Sequence, residues 1–214
     1  NPKLVSEIIK HCYAAGAKEG VVFDNTCDNW RRSYKNSGIA LAVTDAGGRI
    51  APASSEGYFQ NVTVTGGRNL NQAKVHELIL ESDVFINVPV LKNHGSAQLT
   101  MSMKNLMGIV WDRRFWHSND LHQCIADFAP YRKPDLNVLD AYYVMKRNGP
   151  RGVSLEDVVT MKAQLISTDM VSIDTAGARL FGIDPNDIRY IQIAAQQKVG
   201  RADLDQLNIK RISL

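Results

Sequence analysis

The run Pro89-Val90-Leu91-Lys92-Asn93-His94-Gly95-Ser96 gathers an amine, an amide, an imidazole and a flexible glycine in one short stretch. Lys92 and His94 are two residues apart, so an extended backbone turns both to the same side. The next stretch, Ala97 to Met107, reads as a helix with Leu99, Met103, Leu106 and the following Val110 as its apolar stripe. On that helix Thr100 and Lys104 lie one turn apart. Ser96 is placed to cap it, and free N–H groups at its start favour an anion. Helical side chains lean toward the amino terminus, which carries Lys104 back toward Lys92. Two ammonium groups beside a helix start make a site for a phosphate or carboxylate. A lysine held near another cation also acquires the lowered pKa of a nucleophile or base. The plainer alternative is two surface lysines whose stems lie along apolar neighbours.

Other polar residues fall where a site would need them. Asp174 sits in Val171-Ser172-Ile173-Asp174-Thr175-Ala176-Gly177-Ala178, a helical pattern apolar on nearly all sides. A buried carboxylate there requires a partner or a raised pKa, so Asp174 either orients a site lysine or caps a neighbouring loop. Asp24 follows the short strand Val21-Val22-Phe23, and Asp140 interrupts an apolar strand. Lys146-Arg147-Asn148-Gly149-Pro150-Arg151-Gly152 adds three positive charges and two glycines as a second anion-contacting loop. Metal ligation is harder to build. His117 and His122 are five apart, about 140° around a helix, whereas a zinc pair on one helix wants a spacing of four. His122 and Asp127 have the same fault and need ligands from elsewhere. P-loop, dinucleotide and serine-hydrolase glycine motifs are absent.

The elements that must hold these groups alternate. Helical patterns cover 2–15, part of 37–46, 72–81, 97–107, 119–129, 170–181 and 184–198. Strand patterns cover 21–23, the surroundings of Ile50, 62–64, 84–88, 136–145, 164–166 and 207–212. Alternation of this kind predicts an α/β fold, a mainly parallel sheet flanked by helices. One domain over residues 1–214 is expected, with an irregular lobe or lid near 110–119. Strands end in Pro89 and in Asp24-Asn25, and ligands of such sheets bind beyond the carboxyl ends of strands.

Composition bounds the rest. An apolar fraction of 44% and a charged fraction of 22% are ordinary for a globular chain. No apolar run approaches the ~18 residues of a spanning helix. A net charge of +3 carries no nucleic-acid footprint, and Trp30-Arg31-Arg32-Ser33-Tyr34 reads as a solvated surface with an aromatic anchor. The three cysteines, Cys12, Cys27 and Cys124, are far apart, so neither an iron–sulfur cluster nor a zinc ribbon is expected.

The ordered motifs resemble one family. Val88-Pro89-Val90-Leu91-Lys92-Asn93-His94, Leu99-Thr100, Lys104-Asn105-Leu106-Met107-Gly108, His122 to Asp127, Pro134-Asp135-Leu136 to Asp140, Asn148-Gly149-Pro150 with Gly152, Ser167-Thr168-Asp169 to Asp174 and Leu180-Phe181-Gly182-Ile183-Asp184-Pro185 match it in order. It is the bacterial and archaeal family called domain of unknown function number 362, and the likeness runs through essentially the whole chain. The resemblance implies no firm general activity. It implies redox metabolism through members that carry ferredoxin-like segments, and either a cytoplasmic place or export by the twin-arginine route. It also implies a further strand upstream of Asn1. This chain departs from the cluster-bearing members in lacking their cysteines.

Together these readings place an anionic small molecule, its cofactor if any unknown, against Lys92, His94 and Asp174 as catalytic candidates. Lys104, Asn105, Thr100, Asn148, Asp24 and Asp140 are the ligand-binding candidates. Lys92 and Lys104 hold the anion, His94 transfers a proton, and Asp174 or Asp140 orients a lysine. The other reading is a non-catalytic partner or scaffold of a redox protein.

Overall fold

The computed structural model describes residues 1–213. The chain is mixed α/β and divides into two compact units, each built from separated segments. Asn1–Thr63, Gln72–Ser82 and Met107–Arg113 form the first; Val64–Asn71, Asp83–Leu106 and the chain from Arg114 form the second.

In the first unit α1 (Pro2–Ala14) leads to β1 (Val21–Val22), then to α2 (Trp30–Asn36), α3 (Ile39–Asp45) and β2 (Arg49–Ile50), which pairs parallel with β1. Pro2 sits in the first turn of α1, where its missing N–H costs nothing. Helix α2 had no clear apolar stripe to announce it. It is held by the Asn29 side chain, which accepts the Arg32 N–H, and by burial of Tyr34.

Strands β3 (Phe59–Thr63) and β4 (Gln72–His76) form an antiparallel hairpin, and only α4 (Glu77–Glu81) remains of the helix expected over 72–81. Pairing Gln60 with Val75 and Phe59 with His76 buries Val75 and His76 completely or nearly so. That cross-strand burial outweighs local helix propensity. His76 then caps α4, its Nδ1 accepting the Leu78 N–H at 3.2 Å.

The second unit is built on one mixed sheet. Its strands are β5 (Ile86–Asn87), β6 (Val90–His94), β7 (Gln98–Thr100), β8 (Leu136–Met145) and β9 (Val158–Ser167). Both β5 and β6 pair parallel with β8, while β7 pairs antiparallel with β6 and β9 with β8. The expected break at Pro89 is present, but the strand resumes at Val90, because β7 and β8 supply backbone partners on both sides. Lys92 and His94 therefore ride on an interior strand and not on a loop. The helix expected over 97–107 is split into β7, an extended Met101 and the short α5 (Ser102–Asn105). Thr100 and Lys104 thus lie on different elements, and Ser96 caps no helix. The reason is the hairpin: Gln98 takes a left-handed φ of 61° and returns the chain alongside β6.

Beyond the sheet lie α6 (Arg113–Ser118), α7 (Leu121–Phe128), α8 (Met170–Phe181) and α9 (Arg189–Gln196). Strand 136–145 and helix 170–181 stand where their patterns put them. The stretch read as irregular is ordered as α6 by its buried Trp116, whose ring meets Phe128 at 5.2 Å. Strand β9 is far longer than 164–166; as the sheet's outer strand it alternates half-buried with exposed residues and has little apolar signal. No strand forms over 207–212, where Ile209 and Ile212 are exposed and nothing covers an apolar face. Leu91, Leu99, Leu139, Ile125, Phe128 and Tyr190 fill the core between sheet and helices.

The carboxyl ends of β6 and β8 meet side by side, since Lys92 pairs with Met145. The loop after β8 packs there: the Gly149 N–H donates to Asn93 Oδ1 at 3.0 Å. A Cβ at Gly149 would fall inside the radius of the Asn93 carbonyl oxygen. Gly149→Ala should therefore cost about 2 kcal/mol through overpacking of backbone on backbone. Urea denaturation checks this, and an unchanged midpoint would contradict the close approach.

Candidate functional site

Asp174 is completely buried on α8 and takes no part in solvent contact. Its Oδ1 accepts the Ser102 N–H at 2.7 Å and its Oδ2 the Met103 N–H at 3.0 Å. These are the first amides of α5, which would otherwise be orphaned in the core. Burial pushes the carboxyl up to about 7, partly opposed by these two amides. The helix start expected to receive an external anion is thus already occupied by an internal one.

A chain of amides completes the clamp. Asn87 donates to the Ser102 carbonyl at 3.0 Å and to Asn137 Oδ1 at 3.0 Å, while its own Oδ1 accepts from Asn105 Nδ2 at 2.9 Å. Asn137 donates onward to the Ser167 carbonyl at 3.3 Å. Asn105 is therefore part of the frame under Lys104. Of the lysines, Lys104 is almost wholly buried and Lys92 is half-buried.

His94 closes the β6–β7 turn with its own ring. Nδ1 accepts the Ala97 N–H at 3.2 Å, with Ser96 Oγ at 3.4 Å. The His117 ring stacks on it at 6.0 Å between centroids, nearly parallel. Burial, then the charges of Lys104, His117, Lys92 and His122, depress His94 to about 4. At neutral pH the imidazole is uncharged. With Nδ1 accepting, its proton sits on Nε2, so it offers a hydrogen-bond donor and not a basic lone pair.

His122 is a strut. Its Nδ1 accepts the Tyr190 N–H at 3.3 Å and its Nε2–H reaches the Ser96 carbonyl at 3.1 Å, tying the 95–97 turn to α9. Asp127 is equally committed: Oδ2 accepts the amides of Arg68, Asn69 and Leu70 at 2.7–3.0 Å, and Oδ1 takes Gln123 Nε2 at 2.7 Å. Burial alone would raise its pKa, but the three amides and Gln123 together lower it. The pair is therefore fully used internally. Among the described residues no group of three or more His, Cys, Asp or Glu side chains is arranged to hold a metal ion.

The remaining candidates scatter. Asn148 donates to Asp157 Oδ1 at 2.8 Å, so its backbone and Gly149, not its amide, border β6. Asp140 is buried, and its Oδ1 accepts the Tyr142 N–H at 3.0 Å across the bulge in β8. Asp24 belongs to the first unit, where its carboxylate lies against the Cα of Gly108 and the next residue's N–H donates to the Gly108 carbonyl at 2.8 Å. The groups brought together are Lys92, His94 and Lys104, with His117 and His122 added by the fold. Thr100 stands directly across the hairpin from Lys92. His117 carried no useful signal in the sequence, because its neighbour in space is twenty-three residues away along the chain.

A family model described as Domain of unknown function (DUF362) matches residues 1–179. The Thylakoid-associated protein sll1697 of Synechocystis sp. is 28% identical over an alignment that covers 76% of this chain and 60% of that protein. The chain thus spans about three-fifths of the length of that curated relative. No solved structure matches. Among the described residues no helix is long and apolar enough to cross a membrane.

Two substitutions test the frame. Asp127→Ala removes the acceptor of three amides, of which that of Leu70 is buried, and should cost about 2 kcal/mol, read from urea denaturation. For Asp174 the folded-state pKa lies above its unfolded value, so the folded chain retains a proton that the unfolded chain releases. Its contribution to stability therefore falls as pH rises from about 4 to about 7. Asp174→Asn should be less stable than the wild type at pH 5 and should lose that part of the slope. A slope unchanged by the substitution would place the titration elsewhere.

Proposed function

The chain belongs to the DUF362 family, and on that premise we propose that its second unit binds a small anionic molecule through Lys92, His94 and Lys104 at the joined carboxyl ends of β6 and β8. The observation that carries this reading is His94. It is an imidazole kept neutral by burial and by the positive charges around it, with its free N–H on Nε2. Neutral donors and ammonium groups concentrated at one strand end are the chemistry of oxyanion binding. Lys104 comes on a helix clamped from beneath, so little side-chain and backbone freedom has to be lost on binding. Lys92 is the more exposed of the two lysines and serves as the group that meets the anion first.

The same arrangement supports a chemical role. A neutral imidazole donating from Nε2 stabilises negative charge that develops on a bound oxygen, with the ammonium groups as counterions. The His117 ring lies nearly parallel beside it, 6.0 Å between centroids.

An anion placed beside His94 offsets the positive field, so its pKa should climb from about 4 toward its ordinary range. Binding should accordingly tighten as pH falls through that interval. Histidine-resolved NMR titration in inorganic phosphate, acetate and oxalate at constant ionic strength measures this directly. Lys92→Ala should weaken whichever of these binds by about tenfold, the loss of one charge-assisted contact. A His94 titration indifferent to all three anions would remove the basis for the site.

A further inference from the structure

One polar atom beside this cluster has no partner. Thr100 is 8% exposed, and its hydroxyl oxygen is buried without any hydrogen-bond partner. Register fixes which way it faces. Lys92 pairs with Thr100, and His94 with Gln98, across β6 and β7. Residues directly opposed in an antiparallel pair share a face, with Cβ atoms about 5 Å apart. Lys92, His94, Gln98 and Thr100 thus occupy one face of the hairpin. Leu91, Asn93 and Leu99 occupy the other, where Leu91 and Leu99 are fully buried in the core. An unsatisfied hydroxyl on the core face would be a packing accident. On the face that carries the ammonium and imidazole groups it is a donor held in reserve, and leaving it unmade costs about 1–3 kcal/mol.

From this we infer that Thr100 is a ligand-binding residue and that the anion is a phosphoryl group. The inference rests on the anion-binding reading above and narrows it. Lys92, His94 and Thr100 share this face from different backbone positions: a flexible stem on β6, the ring that closes the turn, and a hydroxyl on the neighbouring strand. A carboxylate offers two oxygens in a single plane and one negative charge. A phosphoryl group offers three oxygens in a pyramid and a charge near −2 at neutral pH, which suits donors set at different backbone positions beside the ammonium groups of Lys92 and Lys104.

The test separates a binding role from a structural one by their opposite signs. Thr100→Val keeps the shape and removes an unpaired buried hydroxyl, so the unliganded variant should melt at the same temperature or higher. Its affinity for inorganic phosphate, measured by calorimetry at pH 7.5 and fixed ionic strength, should fall about fivefold. Thr100→Ser keeps the hydroxyl and should retain wild-type affinity. Wild-type protein should bind phosphate at least about tenfold more tightly than acetate. Acetate binding as tightly as phosphate overturns the phosphoryl assignment and leaves the anion site standing. Phosphate affinity unchanged in Thr100→Val, or lost only together with a fall in melting temperature, overturns the role of Thr100. Binding of neither anion by the wild type overturns this inference and the anion site with it.

Discussion

The second unit depends on one buried contact, the Asp174 carboxylate received by the first two amides of a four-residue helix. A helix this short has almost no intrinsic stability, and its start lies where water cannot reach its N–H groups. The carboxylate satisfies two of them, and Asn87 holds the Ser102 carbonyl from the other side. Removing either would leave Lys104 on a segment with no reason to stay helical. The contact also explains why a carboxylate is tolerated on an otherwise apolar helix: its environment is made of backbone dipoles rather than of a counter-charge.

Above that frame the electrostatics are one-sided. Lys92, Lys104, His117 and His122 all act on His94 in the same sense, and burial acts with them. Burial is the larger cause, and together with these charges it keeps the imidazole uncharged at neutral pH. The histidines divide the labour. His122 spends both nitrogens as a strut, while His94 spends one and keeps the other.

How much could be read in advance varies with the source of each element's stability. Strand 136–145 and helix 170–181 carry their own patterns, a long apolar run interrupted by Asn137 and Asp140 and a capped helical stripe ending at Gly182, and both stand where those patterns lie. Residues 97–107 misled because Leu99, Met103 and Leu106 satisfy helical spacing while Leu99 and Thr100 are in fact claimed by pairing with Asn93 and Lys92. Residues 72–81 misled in the same way, through pairing with 59–63. Asn148 reads from the sequence as a ligand-binding residue, yet its amide is committed to Asp157 and it is the glycine beside it that makes the close approach.

What the sequence alone determined is the inventory and its neighbourhood: an α/β chain of a recognisable family, with Lys92 and His94 just past an apolar strand, Lys104 a few residues further on, and a single carboxylate buried on the helix of 170–181. Such features are legible because residue type, spacing and burial propensity are local properties. Only the tertiary structure decided that Asp174 holds a helix and not a ligand, that His122 and Asp127 are consumed as struts, and that Thr100 faces Lys92 with its hydroxyl unpaired. These outcomes depend on which backbone amides and strands arrive from distant parts of the chain, and hydrogen-bond partners separated by tens of residues leave no mark in local spacing.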